Sequence, residues 1–114
     1  MDMKTNDRRT IARLHVQFRT TFLGASTLEG TGLMLDLSMG GCRIQSRVIV
    51  EPGASLELRI HAPDIGWPLM IEEASVQWVN GQTFGLAFFR VSTTEHQRLG
   101  QVISQLIPDE STAR

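Results

Sequence analysis

Leu33-Met34-Leu35-Asp36-Leu37-Ser38-Met39-Gly40-Gly41-Cys42-Arg43-Ile44-Gln45 is the stretch that decides how this chain folds. Leucine at every second position, Leu33, Leu35 and Leu37, has the period of a half-buried strand. The Gly-Gly pair permits a tight turn or a positive-φ conformation. Alternation then resumes, with Cys42, Ile44 and Val48 facing inward and Arg43, Gln45 and Arg47 outward. Two antiparallel strands are expected, with Leu33, Leu35 and Leu37 in the core. In that phase Asp36 points away from the core, and Ser38 falls on the same side as Asp36.

The same period extends in both directions. Upstream, Leu14 to Leu23 alternates, with Leu14, Val16, Phe18 and Phe22 on one face and His15, Gln17, Arg19 and Thr21 on the other. The Gly-, Ser- and Thr-rich stretch from Gly24 to Gly32 is expected to be a hairpin connection. Downstream, Pro52-Gly53 marks a turn, and Ser55 to His61 buries Leu56, Leu58 and Ile60. Leu69 to Val79 changes phase between Leu69/Ile71 and Ala74/Val76/Trp78, which predicts a bulge near Glu72-Glu73. Asn80-Gly81 is a hairpin turn signal, and Phe84, Leu86 and Phe88 give the inner face of a last strand. Ser92-Thr93-Thr94-Glu95 matches a capping box. Leu99, Val102, Ile103 and Leu106 then form the stripe of an amphipathic helix stopped by Pro108. The expected fold is mainly all-β, a six-stranded antiparallel barrel with a C-terminal α-helix. Three segments are expected: a flexible basic arm over 1–13, the barrel and helix over 14–107, and a polar tail over 108–114.

With 114 residues and a net charge of −1, a single domain is expected and a general nucleic-acid binder is disfavoured. The charge is unevenly placed. Residues 1–20 carry Lys4, Arg8, Arg9, Arg13 and Arg19 against Asp2 and Asp7, a surplus of three, so the remainder carries a deficit of four. Local positive charge suits a small anionic ligand better than a polymer. A single cysteine, Cys42, allows no internal disulfide and points to a reducing compartment. No apolar run has the length of a membrane span or the form of a leader. A cytoplasmic protein is expected.

Two polar clusters carry chemistry. Arg8, Arg9 and Arg13 offer planar forks that match guanine O6 and N7, and equally a pair of phosphate oxygens. Asp36 on a strand face can accept from guanine N1–H and N2–H, a donor pair that adenine lacks. Ser38 can donate or accept, and at Gly40 and Gly41 no Cβ keeps a ligand from the backbone.

Arg9-x-x-x-Arg13, preceded by Arg8 and followed by Asp36-x-Ser38-x-x-Gly41, resembles the signature of the PilZ domain, a bacterial family that binds the second messenger cyclic di-GMP (c-di-GMP). The resemblance runs from Arg8 to about Leu106. It implies a six-stranded antiparallel barrel with a C-terminal helix. It implies further that Arg8, Arg9 and Arg13 contact guanine and phosphate, that Asp36 and Ser38 contact a guanine and nearby polar atoms, and that Gly41 allows the approach. In the family, an arginine in the place of Arg8 goes with a stacked pair of ligand molecules, so two per chain are implied. Stand-alone members act by contacting another protein, in processes such as motility, adhesion or polysaccharide export. The implied protein is a receptor and adaptor whose arm orders when the ligand binds.

Two other functions remain open at this stage: a barrel that makes protein contacts without a ligand, and a small barrel that binds single-stranded nucleic acid. Trp78 continues the phase of Val76 and is expected in the core, with stacking on a guanine at the edge of the site as its alternative. His15, His61 and His96 have no metal-ligand spacing. Cys42 lies on an inward phase with no base nominated beside it, and Glu72 and Glu73 point to opposite faces. An enzyme is not expected.

Overall fold

The computed structural model describes residues 13–107. Six strands, β1 (Leu14–Leu23), β2 (Glu29–Ser38), β3 (Gly41–Gln45), β4 (Ser55–His61), β5 (Leu69–Asn80) and β6 (Thr83–Arg90), precede one helix, α1 (Thr93–Leu106). Every pairing is antiparallel. The strands close into a barrel in the order β1-β2-β3-β6-β5-β4. Closure leaves no exposed edge in the sheet and gives every strand two hydrogen-bonded neighbours.

The core is the inward half of each alternating pattern. Phe22, Met34, Leu37, Ile44, Leu56, Leu58, Ile60, Leu69, Ile71 and Phe84 are all buried. Phe22 and Phe84 meet edge to face across the interior, with ring centroids 5.6 Å apart. The bulge expected at Glu72-Glu73 is present: Leu56 pairs with Ala74 and Leu58 with Ile71, so two residues of β5 oppose one of β4. At the Asn80-Gly81 turn, Gly81 takes φ +63° and Asn80 pairs with Thr83.

Three expectations are corrected. Leu33 is on the outside, and Met34 takes the core position. The register of β2 against β3 slips between Met34 and Asp36, which places Leu35 in an irregularity, half-buried. A strict period carried through an extra residue inverts the phase of everything before it. The connection expected from Gly24 to Gly32 is shorter, closed by Gly24 N–H to Leu28 O at 2.8 Å, and β2 already begins at Glu29. Gly30 serves that strand by leaving room for the Phe22 ring, and does not mark a turn. Trp78 is also on the outside, because the β5–β6 register slips between Val76 and Trp78.

α1 packs on β5, burying Leu99 and Val102, each worth about 1.5–3 kcal/mol. The Ser92 hydroxyl accepts from Glu95 N–H at 3.2 Å, one half of the expected capping box. The Glu95 carboxylate accepts from the Met70 N–H at 3.1 Å and so ties the helix to β5. Arg98 completes the tie. Its Nη1 donates to Glu95 at 2.9 and 3.2 Å and to Pro68 O at 3.3 Å. Its Nη2 donates to Ile65 O at 3.0 Å and to Trp67 O. The guanidinium also lies over the Trp67 ring, 4.5 Å from its centroid.

Candidate functional site

Arg13 of the first motif meets Asp36 of the second. Arg13 Nη1 donates to Asp36 Oδ1 at 3.0 Å, joining the start of β1 to the end of β2. Arg43 Nε lies 3.1 Å from Asp36 Oδ2. Its N–H is not aimed at that oxygen, so the contact is Coulombic, and this buried donor has no acceptor among the described residues. The Asp36 side chain is 9% exposed, against 52% for Arg13 and 38% for Arg43. A carboxylate that buried is tolerable because two cations cover it.

Strand register extends this pair into a row. His15 pairs with Asp36, Asp36 with Arg43, Arg43 with Gly85, and Gly85 with Trp78. Five neighbouring strands, β1, β2, β3, β6 and β5, thus place one residue each on a line across the outside of the barrel. At strand spacing, Asp36 and Trp78 are about 14 Å apart along it. A side chain on Gly85 would run into the Trp78 indole, which therefore lies over bare backbone. Trp78 is 43% exposed, so it offers a ring face at the end of the row opposite Asp36.

The remaining sequence candidates divide. Arg8 and Arg9 lie outside the described residues. Ser38 is buried, and its hydroxyl closes the β2–β3 turn: it accepts from Gly40 N–H and donates to Gly41 O, both at 3.3 Å. Gly40 is exposed at that turn, with open space where a Cβ would stand. Gly41 has a reason internal to the barrel, since a Cβ there would collide with the Leu86 carbonyl of β6. Within the described residues, then, Ser38 and Gly41 build the turn that holds Asp36 opposite Arg43. Burial first, and then the nearby Asp36 charge, push the Cys42 thiol far above its ordinary range. It is a packed side chain and not a nucleophile.

Arg43 was readable in principle. It shares the outward phase of Asp36, and a turn from Ser38 to Gly41 pairs 37 with 42 and 36 with 43. A motif search does not include it because it stands two positions beyond the last motif glycine.

Within the described residues the row lies on the outer surface of the barrel. A cleft of about 290 Å³ lined by Val48, Ile49, Val50, Val79 and Phe84 contains none of these residues. Among the described residues no group of three His, Cys, Asp or Glu side chains is placed to hold a metal ion. None of their helices is long and apolar enough to cross a membrane.

The PilZ domain family model matches residues 7–105. The chain belongs to the PilZ domain family. Solved PilZ structures share the barrel at low sequence identity. The inhibitor of motility MotI/DgrA of Bacillus subtilis aligns with a TM-score of 0.68 at 21% identity, over 86% of this chain and 51% of that one. YcgR of Escherichia coli, solved in complex with c-di-GMP, gives 0.68 at 19% identity, over 94% and 48%. The PilZ domain of CeSA from a cellulose-synthesizing bacterium gives 0.66 at 15%, over 82% and 96%. This chain therefore spans about half the length of MotI/DgrA and YcgR and nearly all of the CeSA domain. No curated protein matches its sequence.

Proposed function

We propose that this PilZ domain is a c-di-GMP receptor that binds its ligand along the row from Asp36 to Trp78. The observation that carries the proposal is the Arg13–Asp36 ion pair, in which one arginine of the first motif meets the aspartate of the second. A carboxylate flanked by guanidinium groups is what a guanine with its phosphate needs, because donors and acceptors for both are supplied within one base width. The presence of c-di-GMP in the YcgR structure supports the choice of ligand.

Asp36 accepts from the guanine donors, Arg9 and Arg13 hold phosphate and base, and Trp78 stacks at the far end of the row. Arg8 adds a further fork and with it room for a second, stacked ligand molecule. Ser38, Gly40 and Gly41 act mainly by fixing the turn under Asp36. Because the row lies on the outer surface of the barrel, the ligand needs cover from the other side, and ordering of residues 4–13 over it provides that cover. The resulting surface is what a downstream protein recognises. No step of this requires catalysis.

Isothermal titration of the chain with c-di-GMP tests the proposal and gives the stoichiometry. Arg9→Ala and Asp36→Ala are each expected to weaken binding by about 1–3 kcal/mol, roughly ten- to a hundredfold. Absence of binding by the unaltered chain, or undiminished binding by both variants, overturns it.

A further inference from the structure

Guanine presents two donors along its Watson–Crick edge, N2–H and N1–H, followed by one acceptor, O6. Asp36 supplies two acceptor oxygens, and Arg43 stands against the second with Nε 3.1 Å from Oδ2. Side by side they offer acceptor, acceptor and donor, the complement of that edge. Adenine offers an acceptor at N1 and a donor at its 6-amino group, so it meets like with like at both places. We propose that Arg43 is a specificity-determining residue of this site, completing with Asp36 a reader of guanine by donating to O6. The inference rests on the c-di-GMP reading above and adds a residue that neither motif contains.

Three features carry it. The spacing is fixed by the fold: Asp36 and Arg43 are direct cross-strand partners, held by a turn in which the Ser38 hydroxyl is bonded at both sides and Gly41 is wedged against the Leu86 carbonyl. The guanidinium is not closed off: the Arg43 side chain is 38% exposed, so the end of its fork can meet an arriving acceptor while the buried Nε, which has no acceptor of its own among the described residues, stays against Asp36. The next position on the row is Gly85, which carries no side chain and is covered by the Trp78 indole, so a planar ring over Arg43 has that indole as its neighbour along the row. Arg13, half-exposed on Oδ1, is the partner that gives way when the base arrives. Its charge then becomes available to phosphate, while Arg43 stays with the carboxylate.

Arg43→Met tests the assignment, with thermal melting to confirm the barrel and Arg43→Lys as a second variant that keeps the charge but loses the planar fork. Both are titrated with c-di-GMP and with cyclic di-IMP, whose hypoxanthine keeps O6 and N1–H but lacks the 2-amino group. The expected result for Arg43→Met is a loss of roughly ten- to a hundredfold for both ligands alike, with the ratio between them preserved. The loss persists at 0.5 M salt, on the order of where general attraction between exposed charges is screened out. Arg43→Lys is expected to fall between the unaltered chain and Arg43→Met. Unchanged affinity for both ligands overturns the inference. So does a loss confined to c-di-GMP until the two ligands bind equally, which would make Arg43 only a support for Asp36, or a loss that vanishes at high salt. If the unaltered chain binds no c-di-GMP, it is the receptor proposal itself that falls.

Discussion

Arg98 and Arg43 each stand beside a carboxylate, 2.9 Å from Glu95 and 3.1 Å from Asp36 respectively, but they are finished to different degrees. Arg98 has both terminal nitrogens engaged, by Glu95 and by the carbonyls of Ile65, Trp67 and Pro68, and its face is covered by an indole. Arg43 has a buried Nε without an acceptor among the described residues and a 38% exposed side chain, and its partner carboxylate is shared with a half-exposed Arg13. A saturated cluster has nothing left to offer a ligand and contributes to stability. An unsaturated one gives up stability and retains binding capacity. The barrel thus separates the two uses of arginine, one on the helix packed against β5 and one on β3 beside β2.

The sharpest way to break this contrast is Arg98→Met. Removing the guanidinium leaves Glu95 and three carbonyls short of a donor, and a loss of about 2–4 kcal/mol of folding stability is expected. Chemical denaturation reads the loss, while titration with c-di-GMP should show affinity unchanged within about twofold. A variant that stays stable but loses the ligand would place binding at the wrong arginine.

Trp78→Ala probes the other cluster and comes next in size. The residue is 43% exposed and its indole lies over Gly85, so stability is expected to change by less than about 1 kcal/mol. Affinity is expected to fall by about 1–3 kcal/mol, one stacked base. The reverse pattern in melting and titration would return Trp78 to the barrel wall.

The smallest effect belongs to a third pair that is neither staple nor site. Hydrogen bonds from Arg90 at 2.6 Å and Ser55 at 3.2 Å hold the Glu73 carboxyl below its ordinary range. The folded value is the lower one, so the stability it contributes is present above the ordinary carboxylate range and is lost as pH falls through the folded value. A melting series against pH should therefore be shallower on its acid side for Glu73→Gln than for the unaltered chain, with no difference at neutral pH beyond the loss of the pair itself.

The alternation of apolar residues was enough to read the six strands, the helix and the bulge at Glu72-Glu73 from the sequence, because a closed barrel with one wet face writes its period directly into the chain. Two irregularities hid the rest. The slip between Met34 and Asp36 exchanges Leu33 for Met34 in the core, and the slip between Val76 and Trp78 turns the indole outward. Apolar side chains look alike on either side of an inserted residue, so composition cannot show on which side the count changes. At the site, Asp36 and Arg13 could be paired from their motifs. Gly41 reads from the sequence as room for a ligand, and the structure gives it a reason of its own, room for the neighbouring strand. Arg43 required knowing which residues a four-residue turn sets face to face.

Cys42 sits next to Arg43 in the chain, fully enclosed and with its thiol held protonated. It is the sole cysteine of the sequence. An alkylating reagent can reach that sulfur only when β3 comes away from its neighbours, so the rate of labelling counts the openings of the wall that carries the reader. The protein thus contains its own clock for how often that wall breathes, and a ligand clasped across it should make the clock run slow.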